Sequence, residues 1–270
     1  MVVRAAAVVL FLATLSPFAF AQSDSTKPST GKIVLSDAGS YFTDAGTVFT
    51  APLHFNESQW LTTGAVLGGT ALLFTADNTV RAIAQRNQGT FGNNFFNIGR
   101  HYGNPDYGLA LSGGMYIWGL AGSDRQLKQS GIALFESISF ASAITLTIKS
   151  LAGRSRPFTG EGNIRFHGFE LNDDYLSLPS GDVTVAFSVS SALSEELHNT
   201  YASIGLYSLG VMIMAERIYY DQHWVSDTFL GAAIGTSIGL TVTHLHDNDS
   251  GAQNISLVPA PSGIGVVWVF

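Results

Sequence analysis

Three short blocks of this chain hold residue types that could do chemistry on an anion. In the first, Lys149, Arg154 and Arg156 fall within eight residues, ahead of Pro157. A lysine ammonium is a point charge and an arginine guanidinium a planar fork, so Lys149 and Arg156 together could clamp the oxygens of a phosphoryl group. The same cations would equally offset the dipole at a helix C-terminus, with Pro157 as the stop. In the second block, Leu178-Pro179-Ser180-Gly181-Asp182 leads into an apolar helix. The Ser180 hydroxyl can donate, and the N–H groups of Ser180, Gly181 and Asp182 at a helix N-terminus suit an anion. An ordinary N-cap with a turn glycine fits the same residues. In the third, Arg217, His223 and Asp227 precede the last apolar helix. His223 and Asp227 are four apart, so on one helix face the carboxylate could accept the ring Nδ1–H and leave Nε2 as a base or nucleophile. A His/Asp pair is also an everyday core or surface hydrogen bond.

Taken in order, the blocks give Lys149…Arg156-Pro157, then Pro179-Ser180-Gly181-Asp182, then Arg217…His223…Asp227. This arrangement resembles the signature of the type 2 phosphatidic-acid phosphatase and vanadium haloperoxidase superfamily, Lys-x6-Arg-Pro, Pro-Ser-Gly-His and Arg-x5-His-x3-Asp. The first and third spacings match in full. The resemblance implies a helical bundle of the acid phosphatase and haloperoxidase type. It also implies that Lys149, Arg156 and Arg217 bind phosphate oxygens, with Ser180 and the Gly181 amide adding hydrogen bonds. His223 would attack phosphorus to give a phosphohistidine, held by Asp227, and water would release inorganic phosphate. The phosphatases imply no metal or cofactor; vanadate belongs to the haloperoxidase branch.

Two departures bear on this. Where the family has the His that protonates the leaving oxygen, this chain has Asp182, and the Ser usual before the third-block Arg is Glu216. An aspartate is ionised at neutral pH and has no proton to donate. Three explanations stand open: a bound phosphate keeps Asp182 protonated, as like charges do; His167 substitutes; or catalysis is lost and anion binding kept. A pyrophosphate would survive the change best, because its departing phosphate is already a stable anion. The expected function is therefore hydrolysis of phosphate monoesters or pyrophosphates, lipid-linked or free, with a catalytically impaired anion- or headgroup-binding protein as the alternative.

The elements that must position these blocks are helical. Apolar stretches at 56–84, 107–122, 129–151, 182–197, 200–217 and 225–243 have helical rather than strand-like length, which predicts an all-α bundle of about six helices. Asn56 with Gln59 marks the first N-terminus as a capping box. The longest connection, Phe158 to Pro179, is long enough to carry function. Arg4, the apolar run to Leu15 and Ala19-Phe20-Ala21 form an export signal. The chain thus divides into signal peptide 1–21, leader and N-terminal extension 22–55, helical domain 56–247 and tail 248–270. In the tail, two apolar runs about Pro259 to Gly263 predict a short β-hairpin.

Charged residues make up 12% of the 270, about half of the roughly 25% usual for soluble domains. The windows 59–76, 107–123, 197–215 and 228–246 are uncharged and close to membrane-spanning length. Together these predict an exported protein on the periplasmic side, embedded in or associated with a membrane. Trp60, Trp118 and Trp224 would line an interface or fill the core. A net charge of −7 with scattered cations excludes a nucleic-acid partner, and the absence of cysteine excludes disulfides and thiolate sites. His244 and His246 with Asp247 hint at a metal cluster, but their spacing at a helix end reads as a solvated C-terminus, so no metal is expected.

Overall fold

The computed structural model describes residues 29–99, 101–249, 255–260 and 263–268. The export signal at 1–21 and the start of the leader lie outside them. Among the described residues there are nine α-helices: α1 (Thr30–Thr50), α2 (Glu57–Leu73), α3 (Asp77–Arg86), α4 (Thr90–Gly99), α5 (Pro105–Gly122), α6 (Arg125–Ala152), α7 (Gly181–Leu197), α8 (Thr200–Tyr219) and α9 (Val225–Asp249). Strands β1 (Ile255–Ala260) and β2 (Gly263–Trp268) pair antiparallel, forming the expected hairpin.

The fold is the all-α bundle read from the pattern, with more helices than six. The first stretch is two helices, because the chain turns at Phe74–Ala76. That turn carries Asp77 into the interior, where its carboxylate accepts hydrogen bonds from the Ser226 N–H at 3.0 Å and hydroxyl at 2.8 Å. Helix α1 falls in the segment read as an extension, and α4 lies outside the predicted stretches although Phe91, Phe95 and Phe96 stand at helical spacing in its short Asn- and Gly-rich sequence. The Asn56–Gln59 capping box forms as expected, and Asp124 caps α6 by accepting from the Leu127 N–H at 3.0 Å.

Helix α7 is the axis of the bundle, with α5, α6, α8 and α9 packed against it. It is buried at every position from Val183 to Ala192, as expected of a helix with no charged face there. Its buried hydroxyls turn back on their own helix, Ser190 onto the Ala186 carbonyl and Ser191 onto that of Phe187, both at 2.8 Å. Helix α9 comes close enough that a Cβ at Gly235 would lie 2.3 Å from the Thr184 carbonyl oxygen. Nearer its start, the first turn of α9 meets the N-terminus of α7, where the Ser180 N–H donates to the Asp227 carbonyl at 3.0 Å. Helix α6 ends at Gly153, which is left-handed at φ 60° and leaves no room for a side chain beside Gly168.

Among the described residues two helices, α6 and residues Val225–His246 of α9, are long and apolar enough to cross a membrane. Only the last of the four uncharged windows is among them, and α2, at 17 residues, is short for a span. Trp60 and Trp118 are exposed, whereas Trp224 is fully buried and donates its indole N–H to the Ser155 carbonyl at 2.9 Å, so it serves the core.

Candidate active site

The last turn of α6, the first turn of α7 and the loop before α9 meet around a cavity of about 310 Å³. Lys149, Arg156, Gly181, Asp182 and His223 line it, with Thr145, Leu146 and Val185 as its apolar and hydroxyl wall. Residues from all three sequence blocks therefore reach one space, although they span 74 positions between Lys149 and His223. Three of the expected site residues, Ser180, Arg217 and Asp227, stand behind this lining.

His223 is buried, and its Nε2 lies 3.5 Å from Arg156 Nη1 at the cavity wall. It precedes α9 rather than lying on it, so the expected shared helix face is a loop-to-helix contact. Its Nδ1 is 3.6 Å from Asp227 Oδ2, too long for a hydrogen bond, and has no other partner among the described residues. Asp227 is instead saturated: Oδ2 accepts from the Ser177 hydroxyl at 2.6 Å and the Trp224 N–H at 2.9 Å, and Oδ1 from Arg154. Burial pushes the imidazole down to about 3, with Lys149 and Arg156 adding to the shift and Asp227 opposing it. The ring is therefore neutral at physiological pH, the form a nucleophile needs.

Lys149 directs its ammonium to the Leu176 carbonyl, and the Ser177 carbonyl lies 3.5 Å away. These acceptors are neutral carbonyls, so neither of them is a carboxylate. Arg156 donates to the Asp173 carbonyl at 2.8 Å and carboxylate at 2.7 Å; Asp173 itself is largely solvent-exposed. A salt bridge to so exposed a carboxylate is weak and open to exchange. Ser180, N-cap of α7, keeps a fully buried hydroxyl with no partner among the described residues, which suits a group that waits for a ligand.

Arg217 differs from its expected role. Its Nε and Nη2 are forked on Glu216, at 2.6 Å for Nη2, and its Nη1 donates to Asp182 Oδ2 at 2.7 Å. Two carboxylates hold the guanidinium, so it is not an open phosphate-binding cation. Arg156 and Arg217 thus each have carboxylate partners. Asp182 lines the cavity as the acceptor of a salt bridge, not as a donor aimed into it. His167 does not replace it: its Nε2 faces Glu161 at 2.8 Å and the Ser155 hydroxyl at 3.1 Å, and it is not part of the cavity wall.

Arg154, read from sequence only as a third cation, organises the site from beneath. It is fully buried and donates to Asp227, to Asp77 at 2.6 Å, to the Ser226 hydroxyl at 2.7 Å and to the Asn163 carbonyl. Its guanidinium also sits 4.0 Å over the Phe74 ring. Asp77, Asn163, Ser177 and Ser226 were not singled out in the sequence, where nothing local marks them. A larger cavity of about 560 Å³ lies at the other end of α6. Its Asp37 and Lys128 are paired with each other at 2.7 Å, and it brings together no nucleophile and base.

Residues 130–250 match the family model of the PAP2 superfamily, a span that contains all three blocks. No curated protein matches the chain. Among solved structures, LpxE from Aquifex aeolicus is similar at 20% identity and a TM-score of 0.49, covering 63% of this chain and 95% of that one. The first transmembrane PAP2 type phosphatidylglycerolphosphate phosphatase from Bacillus subtilis is similar at 19% identity and a TM-score of 0.47, covering 80% and 95%.

Proposed function

We propose, from the premise that residues 130–250 of this chain belong to the PAP2 superfamily, that the cavity at the end of α6 hydrolyses a phosphate anhydride or ester through His223. The observation that carries this reading is the position of His223, neutral and buried, at a wall shared with Lys149 and Arg156. A phosphoryl group seated between these cations would present phosphorus to Nε2. The P–N bond would form as the P–O bond to the leaving group breaks, and water would then attack the phosphohistidine, breaking the P–N bond and releasing inorganic phosphate. The first amides of α7 supply further donors to the anion, with the Ser180 hydroxyl, unpartnered among the described residues, behind them. Asp227 lies close enough to offset the positive charge that develops on the imidazole, and Arg154, Ser177 and the Trp224 N–H fix its position.

The leaving group decides the substrate class. As the acceptor in a salt bridge with Arg217, the Asp182 carboxylate has no proton to give a departing alkoxide. A departing phosphate needs none, so pyrophosphates are the favoured substrates over monoesters. A membrane-associated location suits a lipid-linked member of this class. Large apolar side chains such as Leu35, Leu53, Leu72 and Trp118 are exposed, and α6 and α9 have membrane-spanning length and hydropathy. The amino-terminal address read from the sequence would place it on the exported side.

One observation favours the second reading, an anion- or headgroup-binding protein without turnover: Glu216 and Asp182 together occupy Arg217. Phosphate release from a panel of pyrophosphates and monoesters, free and lipid-linked, separates the two. Turnover of pyrophosphates above monoesters supports the hydrolase, and binding of phosphate with no release from any member supports the silent site.

A further inference from the structure

Away from the cavity, three helices bring metal-ligating side chains together at another level of the bundle. One carboxylate oxygen of Asp44 on α1, one of Glu136 on α6 and a ring nitrogen of His246 on α9 all lie within 4.8 Å of one another. Glu136 is fully buried; its Oε2 faces His246 Nε2 at 2.8 Å, and its Oε1 has no hydrogen-bond partner among the described residues. His246 is thus not the solvated helix end expected from its spacing to His244, while His244 itself is exposed.

An ion pair between Glu136 and His246 does not complete this arrangement. The buried Glu136 Oε1 stays unmet, at a cost that native structures avoid. A divalent cation held by the three groups would meet it. The imidazole argues against magnesium and calcium, which prefer oxygen throughout, and two carboxylates with one imidazole suit zinc or a similar first-row ion. Three protein ligands leave a fourth, tetrahedral position for water. Ligands around zinc stand ~3.3 Å apart, so side-chain rotation would draw the three groups together without moving helices.

We infer that Asp44, Glu136 and His246 form a binding site for a divalent transition cation, zinc above all, that staples α1 to α6 and α9. The apolar cluster of Val48, Ala133, Phe140 and Val242 joins the same three helices beside it, so the ion would reinforce an existing seam. The site shares no residue with the cavity wall and does not depend on the reading of His223.

The test is titration of the full chain, freed of any affinity tag and stripped with a chelator, with zinc chloride and in parallel with magnesium chloride. The expected result is one zinc per chain, no comparable magnesium binding, and a rise in thermal midpoint with zinc. Glu136→Gln, which keeps size and shape, and Asp44→Asn should each lose the zinc and the thermal shift, whereas His244→Ala should keep both. Absence of stoichiometric zinc in the native chain, or zinc retained in Glu136→Gln and Asp44→Asn, would overturn the assignment. Zinc lost in His244→Ala would overturn it too.

Discussion

Asp182 Oδ2 accepts a 2.7 Å hydrogen bond from Arg217 Nη1, and the rest of that guanidinium is forked on Glu216. The two positions at which this chain departs from the family pattern therefore meet on one arginine. Either carboxylate alone would leave part of the guanidinium open to a phosphate; together they occupy Nε, Nη1 and Nη2. Asp182 and Glu216 are thus coupled through one guanidinium.

Reversing both departures should give the site a proton donor. Asp182→His combined with Glu216→Ser is expected to raise turnover of phosphate monoesters by ~10²–10⁴-fold, the usual worth of a positioned general acid. Asp182→His alone should give a smaller gain, since Glu216 would still hold Arg217. Steady-state phosphate release from a monoester measures this, and no gain in the double variant would show that neither residue limits the reaction.

The pH behaviour of His223 follows from its burial. The native ring titrates at about 3 and the unfolded one near ~6.5, so between these values the unfolded chain binds a proton that the native chain does not. This group therefore removes stability progressively as pH falls from ~6.5 toward 3, and it has no effect above that window. An NMR titration of the ring nitrogens should find His223 neutral at pH 5, where an ordinary exposed histidine is mostly protonated. A midpoint near ~6.5 would mean that the ring stands in water.

Arg154 should be a stability residue first. Its removal leaves Asp77 and Asp227 buried without their cation, and breaking such a pair costs about 3–5 kcal/mol. Arg154→Met is expected to lower the midpoint of denaturant unfolding accordingly. Arg154→Lys should not rescue it, because one ammonium cannot serve Asp77, Asp227, Ser226 and the Asn163 carbonyl from the same place. A loss below ~1 kcal/mol for Arg154→Met would show that water or rearrangement replaces the guanidinium.

The blocks that line the cavity were legible because their spacing is local. Lys149 and Arg156 sit on either side of a helix end, and His223 and Asp227 on either side of a helix start, so short motifs carry most of the geometry. What was not legible depends on partners far apart in sequence. Asp77 meets Ser226 across 149 positions, and Arg217 meets Asp182 across 35. Sequence showed that Glu216 and Asp182 were unusual, but not that they share an arginine. Helix α1 was missed for a similar reason: much of its polar sequence faces solvent, and its contacts, such as Asp37 with Lys128, are all tertiary. The residues behind the site, Arg154 above all, were hidden because a buried cation reads in sequence like an exposed one.

The central claim is that His223 takes the phosphoryl group. Native protein mixed briefly with a radiolabelled pyrophosphate substrate and quenched in base should retain acid-labile, base-stable phosphate, and mass spectrometry should place it on His223. In His223→Ala the label should vanish and turnover stop, while phosphate or vanadate still binds through Lys149 and Arg156 and still raises the thermal midpoint. Undiminished hydrolysis in His223→Ala, or label on another residue, would contradict the mechanism.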